Sequence, residues 1–215
     1  MVYKEHVLRE RLGMDPVLNG RATGRSLAKA SRRAALLEAA AELFAQRGYN
    51  GVSIEDLGAA AGVSGPAVYR HFSGKQSVLG ALLTEVSQNL LDGSMAVVAE
   101  STVAERTLRG LIEFQVDFAL RNANVIRVQD KDLGSLSEED RQSVRSLQRQ
   151  YVEVWVNVLS EFSPGQDRSL LRHRAHAGFG LINSTPHTTH RSANSRDTAA
   201  LRQLLETMSW EALNA

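Results

Sequence analysis

Residues 61–75 read AGVSGPAVYRHFSGK. Ala61-Gly62-Val63-Ser64 is the length of a tight turn between two short helices, with Gly62 closing the first and Ser64 placed to cap the second. Pro66 follows in the first turn of that second helix, where its missing N–H costs nothing. Val68 and Phe72 share one face at four-residue spacing and belong to the core. Gly65, Pro66, Ala67, Tyr69, Arg70 and His71 are left on or near the exposed side, and Lys75 opens the helix behind. An ordinary amphipathic helix needs neither the Gly-Pro pair nor the Tyr-Arg-His run. A short helix that lies against a polyanion uses both. Small residues let its backbone approach a groove floor, and Tyr, Arg and His reach phosphates and base edges.

Two helices precede this stretch. The first spans about Ser31 to Arg47, with Leu36, Leu37, Ala40, Leu43 and Phe44 on one face and Gly48 ending it in a left-handed cap. The second starts behind Ser53, a capping residue, with Glu55 and Asp56 where the helix dipole favours anions and Ile54 and Leu57 turned inward. The two short helices joined by this turn make a helix-turn-helix, held against the first helix.

Composition agrees. The chain has 215 residues, 43% hydrophobic and 23% charged, enough apolar mass for one or two globular domains. It has no cysteine, no run of eighteen apolar residues and no cleavable leader pattern, so a cytoplasmic protein without a membrane span is expected. Its net charge of +1 hides an asymmetry. Residues 1–75 hold 11 Lys/Arg against 7 Asp/Glu, whereas the rest holds 14 against 17. Arg21, Arg25, Lys29, Arg32 and Arg33 follow one another with no acid between them, the footprint of a polyanion partner. Apolar residues recur at three- and four-residue steps throughout, so the fold class is all-α.

Residues 32–79 resemble the DNA-binding domain of the TetR family of bacterial transcriptional regulators. The match runs through Arg33, Leu37, Ala40-Ala41, Leu43-Phe44, Gly48-Tyr49, Val52-Ser53-Ile54, Leu57, Ala60-Ala61-Gly62-Val63-Ser64, Val68-Tyr69-Arg70-His71-Phe72, Lys75 and Val78-Leu79. The Tyr-x-His-Phe-x-x-Lys continuation after the turn is its most specific part. The resemblance implies a homodimer on a palindromic double-stranded DNA operator, a carboxy-terminal domain that answers to a small-molecule effector, and no catalytic activity. The DNA-contacting set expected is Arg32, Ser53, Ser64, Gly65, Pro66, Ala67, Tyr69, Arg70, His71 and Lys75. Three parts follow: a basic, irregular extension over 1–30 with a short helix expected at Lys4–Arg11, a DNA-binding domain over 31–91, and a ligand-binding and dimerisation domain over 92–215.

In that last part, a helix from about Gly74 links the two domains, and its tilt is expected to carry the switch. Thr102-Val-Ala-Glu105 reads as a capping box, a short helix is expected at Val125–Lys131, and Ser137 opens a helix to Phe162. Asp167–Asn183 and Asp197–Leu213 read as the last two helices, joined by the polar loop Ser184–Arg196. Leu170, Leu171, Ala175, Ala177, Gly178 and Leu181 on one, and Leu201, Leu204, Leu205 and Met208 on the other, suit a four-helix dimer interface.

Phe114, Phe118, Tyr151, Trp155 and Phe179 are candidates for an effector wall, with Arg121 and His176 placed to orient an acid or a thioester carbonyl; Gln115, Arg127 and Arg149 lie on the same faces. The stretch from Asp132 to Trp155 is similar to that of TetR-type regulators of lipid or acyl-CoA catabolism, which implies an acyl-CoA or apolar acid, with a multidrug-type sensor as the alternative. His173/His176 and His187/His190 have a spacing compatible with metal, but no carboxylate stands at matching spacing, so neither a metal nor a cofactor is expected. Ser184 and His187 lack a nucleophile elbow, which argues against an all-α enzyme.

Overall fold

The computed structural model describes residues 24–184 and 195–215. Among these residues every regular element is helical. The chain forms two compact units: residues up to Asn89 gather with Val128–Val144, and Leu90–Arg127 gather with Arg145–Ala215.

The first unit begins with α1 (Gly24–Arg47), seven residues earlier than the sequence reading placed it. Ala28, Lys29 and Ala30 are strong helix formers and no glycine or proline interrupts 25–47, so the helix propagates back through the supposed irregular extension. Residues 1–23, with the expected helix at Lys4–Arg11 and Arg21, lie outside the described residues. Gly48 ends α1 at φ +71°, its N–H bonded to the Phe44 carbonyl at 2.8 Å. A single 3₁₀ turn (Tyr49–Gly51) leads to α2 (Ile54–Ala60). There Ser53 and Asp56 form a reciprocal cap: the Asp56 N–H donates to Ser53 Oγ at 3.0 Å and the Ser53 N–H to Asp56 Oδ2 at 2.8 Å. Both Ser53 groups, with Arg47 at 3.6 Å, hold the Asp56 carboxyl below its usual range, the backbone bond contributing most.

The tight turn follows, with Gly62 at φ +68° and the Val63 N–H bonded to the Gly58 carbonyl at 2.8 Å. A Cβ on Gly58 would meet the Val63 carbonyl oxygen at 2.9 Å, so α2 and the turn approach as closely as glycine permits. Regular helix in α3 lasts only Gly65–Val68, after which Arg70, His71 and Phe72 continue by turn hydrogen bonds. Ser64 caps it differently from the expectation. Its side chain makes no capping bond, because the Ala67 and Val68 N–H groups are taken by the Ser64 carbonyl at 2.9 and 3.3 Å. Leu36, Phe44, Leu57, Val68, Leu79 and Leu83 form the fully buried core.

Three more helices pass through this unit or leave it: α4 (Lys75–Ala99), α6 (Ala123–Asp132) and α7 (Glu138–Phe162). The sequence reading assigned 128–144 to the second domain, yet these residues pack with the first. The Tyr49 N–H donates to Asp132 Oδ1 at 3.2 Å, and Gln76 Nε2 donates to the Ser135 carbonyl at 3.0 Å. Such pairings span about sixty to eighty residues of chain, beyond the reach of any local pattern.

The second unit holds the ends of α4 and α7 with α5 (Ala104–Arg121), α8 (Arg168–Asn183) and α9 (Ser195–Asn214). The capping box at Thr102 does not form. Val103 is the cap, and Ser101 Oγ accepts its N–H at 3.1 Å instead. Asp167 caps α8, accepting from the Ser169 and Leu170 N–H groups. Leu111, Trp155, Leu159, Leu171 and Ile182 are fully buried. Phe114 lies over Gly93, where a side chain would collide with its ring, and this brings α4 and α5 together. An Arg202–Asp117 ion pair ties α9 to α5, and Gly178 lies against Leu213 at 3.4 Å between α8 and α9. Among the described residues no helix is long and apolar enough to cross a membrane.

Candidate nucleic-acid interface and effector site

The DNA-facing candidates divide by what already holds them. Tyr69 is 57% exposed, and Arg32, Arg70, Ser64 and Pro66 are exposed beside it in sequence or on α1. Gly65 and Ala67 are half-buried, with Gly65 facing Glu55 across the turn. Ser53 is occupied by its cap. Lys75 differs from the expectation of an open phosphate contact: its ammonium donates to the Tyr49 carbonyl at 2.8 Å and stands 4.3 Å from the Tyr49 ring centroid. A desolvated ammonium seeks an oxygen and an aromatic face, and both lie in the turn after α1. Arg33 is likewise engaged, paired with Glu85 and 5.3 Å above the Phe72 ring.

His71 carries the clearest electrostatic signature. Its Nδ1 is buried and has no hydrogen-bond partner. Burial first, then the cations of Lys29, Arg32, Arg33 and Arg70, hold its pKa below the ordinary imidazole range. Of these cations Arg33 is neutralised by Glu85, and Lys29, Arg32 and Arg70 remain beside the ring, so this face offers positive charge to an anion. Lys29 was legible in the basic run; that it converges on His71 was not. Arg25 is in α1, and Arg21 lies outside the described residues.

On the second unit, four of the seven effector candidates meet. The Tyr151 and Phe179 rings stack at 5.5 Å, Trp155 meets Phe179 edge-on at 5.0 Å, and His176 stands at 6.2 Å from Phe179. Behind them runs a polar chain that the sequence did not disclose. Tyr151 donates to Gln115 Oε1 at 2.6 Å, and Gln115 Nε2 donates to Asn183 Oδ1 at 2.9 Å. Burial pushes the Tyr151 phenol pKa up, so it remains a donor. Phe118 is buried on α5, Phe114 is committed to Gly93, and Arg121 is exposed in the last turn of α5. The expected wall is thus a packed cluster of Tyr151, Trp155 and Phe179 with His176 at its rim.

Two grooves open elsewhere on this unit. One of about 630 Å³ lies between α4 and α5, bordered by Val97, Val103, Thr107 and Gly110; one of about 420 Å³ lies beside Trp210, Glu206 and Glu113. Arg109 borders both, its guanidinium 3.5 Å from the Trp210 ring centroid and bonded to Glu105. His173 and His176 are both exposed on α8, and among the described residues no three His, Cys, Asp or Glu side chains gather as a metal site would need; His187 and His190 lie outside those residues.

A family model described as bacterial regulatory proteins, tetR family, matches residues 36–82, and one described as tetracyclin repressor-like, C-terminal domain, matches 100–184. The chain is 35% identical over 109 residues to the HTH-type transcriptional activator FasR of Mycolicibacterium smegmatis, covering 51% of this chain and 50% of FasR. It is 27% identical over 132 residues to the HTH-type transcriptional repressor KstR2 of Rhodococcus jostii, covering 61% of this chain and 65% of that one. The chain therefore spans between half and two thirds of the length of these curated relatives. The solved structure of AibR in complex with isovaleryl coenzyme A and operator DNA is similar at a TM-score of 0.68 and 19% identity, covering 83% of this chain and 98% of that one. At that identity the likeness is one of fold.

Proposed function

The chain belongs to the tetR family of bacterial regulatory proteins, and we propose that it is a transcriptional repressor of the cytoplasm that grips a palindromic operator as a homodimer and lets go when an acyl-CoA or apolar acid binds. The observation that carries the DNA half is the set of cations from α1 and Arg70 converging beside the exposed Tyr69 step. Tyr69, Arg70 and Arg32 contact the duplex directly, with Gly65, Pro66 and Ala67 allowing close approach. His71, half-buried beside them, reads a phosphate. Leu170, Leu204 and Met208 remain 54%, 54% and 46% exposed on α8 and α9, and a second copy of the chain covers them.

The effector half rests on the Tyr151–Trp155–Phe179 cluster, an aromatic surface for an acyl chain, with His176 at its rim for a carbonyl or carboxylate. AibR, of like fold, was solved with isovaleryl coenzyme A and operator DNA, which supports the acyl-CoA class. Effector and operator oppose one another through a coupling of about 2 kcal/mol, a roughly thirtyfold loss of operator affinity.

The test is selection of duplexes from a random pool by the full chain, then titration of the selected complex with isovaleryl-CoA and stearoyl-CoA. An inverted repeat released by either supports the reading, and a promoter fusion then gives the sign of regulation. Release by neutral or cationic drugs alone would replace the acyl-CoA effector with a multidrug-type one. Leu204→Glu is expected to give a folded monomer in light scattering. A persistent dimer would move the interface elsewhere.

A further inference from the structure

Segment 128–144 lies far along the chain from the first helices of its unit but is held against them at three points, one at the turn after α1 and two on α4. Asp132 Oδ1 accepts the Tyr49 N–H at 3.2 Å, the Ser135 carbonyl accepts from Gln76 Nε2 at 3.0 Å, and the Asp140 carboxylate lies against Gly80, where any Cβ would collide with it. The Tyr49 contact is the one that reaches the DNA-binding elements. Tyr49 sits in the turn between α1 and α2. Its ring meets Phe44 of α1 at 5.6 Å, and its carbonyl accepts from Lys75, the first residue of α4. One residue is thus gripped at its N–H by Asp132 and at its carbonyl and ring by Lys75.

The grip of Asp132 is incomplete. Its second oxygen, Oδ2, is buried and has no hydrogen-bond partner. A buried carboxylate oxygen without a donor carries a desolvation penalty that is relieved when the group swings to water. Leaving loses one backbone hydrogen bond and regains hydration at Oδ2, so the two terms oppose one another. A bias can then choose between the held and released arrangements, as a switch requires. The chain also supplies a source of bias. Asp132 ends α6, and α7 carries both Asp140 near its start and Tyr151 and Trp155 of the aromatic cluster further along.

We infer that Asp132 is a positioning residue: it restrains the Tyr49 turn, and through Lys75 the start of α4, in the arrangement that binds DNA, and effector binding acts by releasing it. This rests on the regulator reading above. The test compares the full-length chain with Asp132→Ala and Asp132→Asn by amide hydrogen exchange at Tyr49, by affinity for the duplex selected by the unmodified chain, and by release with stearoyl-CoA. Asp132→Ala should exchange Tyr49 at least tenfold faster and bind the duplex at least threefold more weakly. Asp132→Asn keeps an acceptor oxygen without the buried charge, so it should restore both and need more stearoyl-CoA for release. Exchange and affinity of Asp132→Ala within twofold of the unmodified chain would overturn the inference, as would an Asn variant no better than Ala. If the unmodified chain selects no duplex, or stearoyl-CoA releases none of the three proteins, the regulator reading or its effector class fails. The exchange comparison still decides the Tyr49 restraint.

Discussion

The two units use their polar groups in opposite directions. On the DNA-facing side of the first, polar and cationic side chains face outward: Arg32, Tyr69 and Arg70 are exposed, and Leu36, Leu57 and Val68 are buried. In the second, polar groups run inward. Gln115 is 2% exposed between Tyr151 and Asn183, and Asp117 is nearly buried beside Arg202. An outward cation costs little stability and remains available to a ligand. An inward hydrogen-bond chain fixes one packing arrangement and makes each member hard to replace. Substitutions in the first unit should therefore separate function from stability, whereas those in the second should join them.

The largest expected effect lies in the second unit. Trp155→Ala removes a fully buried side chain and its edge-on contact with Phe179, and should destabilise the protein by about 3–5 kcal/mol in denaturant unfolding. A loss below about 1 kcal/mol would show the cluster to be loosely packed and the contrast between the units to be overstated. Next comes Gly58→Ala, a place in the first unit where backbone packs against backbone. The added Cβ pushes the turn at Val63, costing about 1–3 kcal/mol by overpacking, partly offset by about 1 kcal/mol of helix propensity. We expect a net loss of about 1 kcal/mol and a larger proportional loss of duplex affinity, because the displaced turn sets the direction of Gly65–Val68. Equal losses in both measurements would mean that the turn only supports the fold.

The smallest effect is the pH dependence of His71. Its folded pKa is depressed, whereas the unfolded imidazole titrates near about 6.5. The neutral, half-buried ring therefore contributes stability fully above that pH, and the contribution is lost as pH falls toward the folded pKa. A duplex phosphate beside the ring reverses part of the depression, so binding takes up a proton. Affinity at fixed salt should rise by about two- to threefold from pH 7.5 to pH 6, by the same linkage. His71→Gln should flatten this rise. A wild-type slope unchanged by His71→Gln would remove His71 from the phosphate contacts.

What the sequence determined by itself was everything set within one or two helical turns. The inward faces of α1 to α3 followed from three- and four-residue spacing, and Ser53, Gly48 and Gly62 announced their caps and turns because such bonds join residues only a few positions apart. Even at that range the outcome differed: the Ala67 N–H goes to the Ser64 carbonyl rather than its side chain, and the helix expected to start behind Thr102 is capped by Val103 instead. The tertiary structure alone decided which polar residues turn inward. Gln115 was legible as a polar residue on the aromatic face of α5, but not its burial between Asn183 of α8 and Tyr151 of α7. It also separated neighbours of one composition, leaving Leu170 and Leu204 exposed while burying Leu171 and Leu205. Above all, it placed Asp132 beside Tyr49, 83 residues away. Hydrophobic periodicity reports which face of a helix is buried and is silent about what buries it, because the partner's identity depends on chain closure over distances that no local spacing encodes.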